Sequence, residues 1–155
     1  MQLQNAKSFP KPIKYFNNFK EKVKIFTNCD LTEDEIDLFN AALKAVSEYV
    51  HDNNIDLTDY FVLNVFFTYD GTISFTENDT KTCGSQFHVA LYRMEKLRAL
   101  HSYYMMIFTF IEELAHYFLR EYNETVIKYK VEEIMRYIYP DFKLEGLARF
   151  KLNGL

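Results

Sequence analysis

The sequence predicts an α+β protein, in which a small sheet, antiparallel or mixed and containing a hairpin, packs against three main helices. Three observations carry this. Apolar residues recur at spacings of three and four over long stretches in both halves of the chain. Asp70-Gly71 separates two runs of aromatic and β-branched residues. Residues 86–93 alternate along a short segment. With 155 residues, 48% of them apolar, residues 1–155 read as one domain that can bury a core without disulfides or metals.

Residues 1–21, with prolines, lysines and scattered aromatics, read as an extended lead-in, and KVKIFTN (22–28) as a first strand. LTEDEIDLFNAALKAVSEYV (31–50) is a helix. Thr32 and Glu35 form a capping box that satisfies free amides at its start, and the acids of its first turn suit the helix dipole. Ile36, Phe39, Leu43, Val46 and Val50 form its apolar face. YFVLNVFFTYDGTISFTEN reads as the hairpin. QFHVALYR (86–93) is a further strand, with Phe87, Val89 and Leu91 on one side and Gln86, His88 and Ala90 on the more polar side. From Met94 to about Tyr122 the pattern is helical throughout. One stripe holds Leu97, Leu100, Tyr104, Ile107, Ile111, Leu114 and Phe118. Its neighbour holds His101, Met105, Phe108, Glu112 and His116. Asn123 ends this helix and caps the next, which runs to about Tyr139 before Pro140 stops it; its core face is Ile127, Val131, Ile134 and Ile138. The tail to Leu155 is mixed.

The composition excludes several functions. Net charge is −4 and the basic residues are dispersed, so nucleic acid is not an expected partner. There are four glycines and no phosphate-binding glycine loop; no Gly-x-Ser-x-Gly occurs. Cys29 and Cys83 fit no zinc-ribbon spacing and suggest a reduced compartment. The first residues lack an apolar core of signal-peptide length, and YYMMIFTFI is too short to span a bilayer. A soluble cytoplasmic protein with no membrane partner is expected.

The chemistry concentrates in FIEELAHYFLREYN (110–123). A catalytic zinc needs three protein ligands, an open position for water and a general base beside that water. One helix supplies two ligands at i and i+4, because those side chains stand one turn apart on the same face. Here these positions are Glu112 and His116, the intervening Glu113 stands where a base belongs, and the following helix offers Glu132 and Glu133. FIEELAHYFL, followed by a turn and KVEEIM, resembles the zincin metallopeptidases with a glutamate third ligand, closest to the small intracellular or phage-associated types. The order of helix, hairpin and strand before it, across residues 31–139, also resembles the minimal zincin order.

This resemblance implies a zincin-like domain. Its ligands are Glu112 in place of the family's first histidine, His116 and a third glutamate, with Glu113 as base. Glu132 has Lys128 and Arg136 four residues away, as on a solvated face, whereas Glu133 has Tyr129 and Tyr137; Glu133 is therefore the expected ligand. Two carboxylates and one imidazole suit zinc, and manganese or iron as well. The implied function is a metal-dependent peptidase or hydrolase acting on a peptide or protein. It would be slower than a two-histidine enzyme, because the anionic ligands offset the metal's charge. The alternative is a catalytically inactive interaction protein on the same scaffold, without metal.

Other readings compete. Glu112, His116 and Arg120 can be an i, i+4 charge ladder, each pair contributing roughly a few tenths of a kcal/mol. Glu48–His51 and Glu113–His116 repeat the Glu-x-x-His spacing of di-iron bundles, although His51 ends its helix, where a cation suits the dipole. His88 reads as a surface residue or a group beside a cleft, and His101 as a core or partly buried histidine. Tyr129 and Tyr137 are packing residues or oxyanion donors. The many aromatics point to a homodimer surface.

Overall fold

The structure is a computed structural model and describes residues 2–3, 6–9, 17–76 and 87–145. The chain is of mixed α and β type. In order come β1 (Gln2–Leu3), β2 (Lys7–Ser8), α1 (Asn17–Lys20), β3 (Val23–Thr27), α2 (Glu33–Asp52) and β4 (Leu63–Thr68). They are followed by β5 (Phe75–Thr76), β6 (His88–Arg93), α3 (Met94–Ala99), α4 (Tyr103–Phe118) and α5 (Glu124–Met135).

The main sheet has the order β2-β3-β4-β6. β3, β4 and β6 are parallel and β2 is antiparallel to β3, so the sheet is mixed. Among the described residues the hairpin expected around Asp70-Gly71 is not found. β4 is occupied on both edges, by β3 and β6, and β5 pairs with β1. The Asp-Gly pair still turns the chain: Gly71 has φ +92°, its amide bonds Thr68 Oγ1 at 2.8 Å, and the Thr72 amide bonds Asp70 Oδ1 at 2.9 Å. It turns the chain out of the sheet rather than back along it.

β3 and β4 are joined through α2, which gives the long connection that parallel strands require. α2 starts where the sequence predicts. The Thr32 side chain accepts from the Glu35 amide and the Glu35 carboxylate from the Thr32 amide. Its expected apolar face, Ile36, Phe39, Leu43, Val46 and Val50, is buried throughout.

The continuous helix expected over 94–122 is two helices. His101 takes φ +49° and Ser102 caps α4 by accepting from the Met105 amide at 3.3 Å. His101 is therefore exposed at a corner rather than buried in a stripe. α4 is the central helix: Ile107, Phe110, Ile111, Leu114, Ala115 and Phe118 are fully buried between α2, α5 and the sheet. The faces of β6 are also reversed from expectation. Ala90 and Tyr92 point into the core, where the Tyr92 hydroxyl donates to the Phe110 carbonyl at 2.8 Å, while Val89 and Leu91 are exposed. Asn123 caps α5 as predicted, accepting from the amides of Thr125 and Val126. The expected tail beyond residue 145 lies outside the described residues, and none of the described helices is long and apolar enough to cross a membrane.

Candidate functional site

Helix α4 carries Glu112, Glu113 and His116 on its C-terminal half, and the short turn to α5 brings Glu121 and Glu124 to His116. The His116 Nδ1 lies 2.7 Å from the Glu121 carbonyl, which makes Nδ1 the protonated nitrogen and leaves Nε2 as an acceptor in the neutral ring. Nε2 lies 3.8 Å from Glu124 Oε1, at the start of α5. The Asn123 cap fixes this approach, because it places the first turn of α5, and hence Glu124, opposite the last turn of α4. Anchoring one ring nitrogen on a carbonyl is also how histidines that bind metals are held.

The carboxylates around His116 are under strain of charge. Burial, then the neighbouring Glu113 and Glu124, push the Glu112 carboxyl above its ordinary range, against an opposite pull from His116 and Lys128. Glu113 is raised too, first by desolvation from the packed helix behind it, although it stands at the surface. A carboxyl whose pKa is raised by folding contributes stability below its unfolded pKa and loses it as pH rises through the folded value. Glu112→Gln is therefore expected to stabilise the protein at pH 7 by roughly 0.2–1 kcal/mol, the range for solvent-screened charges. Melting curves should show this gain shrinking as the pH falls into the carboxylate range; an unchanged gain at every pH would contradict the assignment.

The third expected ligand is elsewhere. Glu133 accepts a hydrogen bond from the Tyr49 hydroxyl at 2.8 Å and from Lys130 Nζ at 3.1 Å. By helix rise it lies about 13 Å along α5 from Glu124, the residue that faces His116. Burial would raise its pKa, but the bonds from Tyr49 and Lys130 outweigh that and hold it below the usual value. The exposure of the two glutamates is also the reverse of that expected. The Glu133 side chain is 45% exposed and that of Glu132 only 16%, because Glu132 binds Arg136 and the Leu144 amide as the chain turns back after α5. Tyr129 is exposed, so it does not make an apolar flank.

Among the described residues, no three His, Cys, Asp or Glu side chains are gathered in an arrangement that could hold a metal ion. Glu48, of the second Glu-x-x-His pair, is paired with Lys44 at 3.8 Å. Arg120 does not extend a ladder from Glu112 and His116; it has left the helix at φ +50° and lies over the Tyr60 ring at 4.1 Å. His88 is stacked on Phe61 at 5.3 Å and lies against Tyr117. Tyr137 donates to Asp52 at 2.8 Å, and burial together with that bond pushes its hydroxyl up to about 12. The Tyr137 hydroxyl is thereby committed to Asp52. The residues that sequence reasoning missed are Glu121 and Glu124. Asn123, a strong capping residue, is the signal that could have placed them.

Comparison of the chain with protein-family models, with curated proteins and with solved structures finds no match.

Proposed function

We propose that this chain is an interaction protein on a zincin-like α+β scaffold, and that the Glu112–Glu113–His116 motif is a charge cluster rather than a catalytic metal centre. One observation carries this reading: Glu133, the third ligand the motif implies, is bound by Tyr49 and Lys130 away from His116. Exposed aromatics lend support. Phe61, Tyr122 and Tyr129 stand in solvent, and tyrosines of this kind supply contact area at protein–protein interfaces. The partner class is a peptide or protein.

A second reading is kept because His116 is held as a ligand would be, with Nε2 facing Glu124 and two carboxylates beside it. In that reading Glu112 and His116 bind zinc, manganese or iron, Glu113 acts as base, and the protein is a slow hydrolase. Elemental analysis by mass spectrometry, on protein purified without chelator or metal-affinity resin, separates the two. The first reading expects no stoichiometric metal in the wild type. Stoichiometric metal that disappears in His116→Ala would establish the second.

A further inference from the structure

β6 lies at one end of the main sheet, and among the described residues no strand lies beyond it. The Leu63 amide bonds the Lys22 carbonyl at 2.8 Å, and the Phe67 carbonyl accepts from the Asn28 amide at 3.0 Å. Odd-numbered residues of β4 therefore turn their backbone groups to β3, and Asn64, Phe66 and Thr68 turn theirs to β6. Asn64 stands beside Val89, so in a parallel ladder it bonds the backbone of His88 and Ala90. The amides and carbonyls of Val89 and Leu91 are left pointing out of the sheet.

The two edges of the sheet are unlike. The opposite one, β2, is two residues long and carries the exposed Lys7, a common protection against unwanted pairing. β6 is six residues long, contains no proline or lysine, and exposes Val89 (44%) and Leu91 (37%) on the outer face of the sheet. Its single arginine, Arg93, ends the strand and lies against the Asp70-Gly71 turn, where a Cβ on Gly71 would stand 3.0 Å from the Arg93 Cδ. An apolar strand edge of this kind is a template for another strand.

We propose that this edge pairs with the same edge of a second copy of the chain, β6 running antiparallel to β6 across a two-fold axis at Ala90. The strand is its own complement in that register. Val89 of each copy faces Leu91 of the other, and these pairs exchange their outward amide-to-carbonyl hydrogen bonds. Their side chains meet on the outer face, apolar against apolar. Ala90 meets Ala90 at the axis, where antiparallel strands come closest and a small side chain fits. Arg93 falls opposite Phe87, so no like charges meet. One pair of strands buries less than the roughly 1,200 Å² of a stable interface, so the dimer is reversible. It involves no residue of the α4 motif.

The test is sedimentation velocity of the whole chain from about 5 to about 500 μM, which brackets an expected Kd on the order of 50 μM. The wild type should pass from monomer to dimer over this range. Val89→Lys and Leu91→Lys each place a charge in the interface twice and should weaken it by about tenfold or more. Both side chains are exposed, so the melting temperature of each variant should stay that of the wild-type monomer. Mixing variants tests the register. Val89→Lys with Leu91→Glu makes a heterodimer with one ion pair and one Val–Leu pair, so the mixture should dimerise better than either variant alone. Val89→Lys with Val89→Glu sets each charge against a leucine and should gain little. The proposal fails if the wild type stays monomeric at the highest concentration, if the lysine variants dimerise as the wild type does, or if the two mixtures behave alike.

Discussion

Phe39→Ala is expected to destabilise the protein by about 3–5 kcal/mol, the cost of emptying a core aromatic site that cannot collapse. Phe39 lies on α2 with none of its surface exposed. It meets Phe67 of β4, Tyr92 of β6 and Phe110 of α4 edge to face, at centroid distances of 4.7, 5.7 and 5.3 Å. One ring thus joins the sheet to the two helices that cover it. These neighbours are themselves in contact, at 5.2 Å for Phe67–Tyr92 and 5.0 Å for Tyr92–Phe110, so none can move into the void without breaking another pair. Chemical denaturation with an unchanged slope should report the loss. A cost below about 1.5 kcal/mol, typical of tolerated apolar exchanges, would show that the site relaxes and that the layers are not pinned there.

Arg98→Ala should cost about 2–4 kcal/mol at neutral pH. The Glu35 side chain is only 6% exposed, and deleting Arg98 leaves a buried carboxylate without its counter-charge. The estimate sits below the full cost of breaking a buried pair, because Arg98 itself is 35% exposed and partly screened. The pH dependence has a definite sign. Burial alone would raise the Glu35 pKa, yet the bonds from Arg98 and the Thr32 amide outweigh it and hold the pKa below the ordinary value. A lowered carboxyl pKa contributes stability above the unfolded value and loses it as pH falls through the folded one. The gap between wild type and Arg98→Ala should therefore be widest near neutrality and narrow in acid. A gap that widens in acid would contradict the pairing.

Those two residues also show what could be seen in the sequence. The capping box and apolar stripe of α2 were legible because both are local and strongly periodic; Phe39 was in the expected core face. The positions of β3, β4 and β6 and a mixed sheet were legible too, but the parallel pairing was not, since Asp70-Gly71 is a local signal and parallel pairing is decided by distant strands. The contrary sign was present in LNVFFT, a nearly continuous apolar run that suits a strand buried on both faces: all but Asn64 are buried. The break at His101 was hidden because the apolar stripes run on through it, while Ser102 marks the cap. At the site, Glu112, Glu113 and His116 were placed correctly on one helix surface. Glu133 was favoured over Glu132 because its flanking tyrosines were counted as apolar, whereas Tyr129 stands in water and Tyr137 is turned to Asp52.

On the proposed reading, the α4 motif lacks a third ligand because Glu133 is held by Tyr49 and Lys130. Calorimetric titration of the wild-type chain and Glu133→Gln with zinc tests it most directly. No stoichiometric binding tighter than roughly 10 μM is expected in either protein. A tight one-to-one site in the wild type that is lost in Glu133→Gln would contradict it and place Glu133 with Glu112 and His116 around a metal.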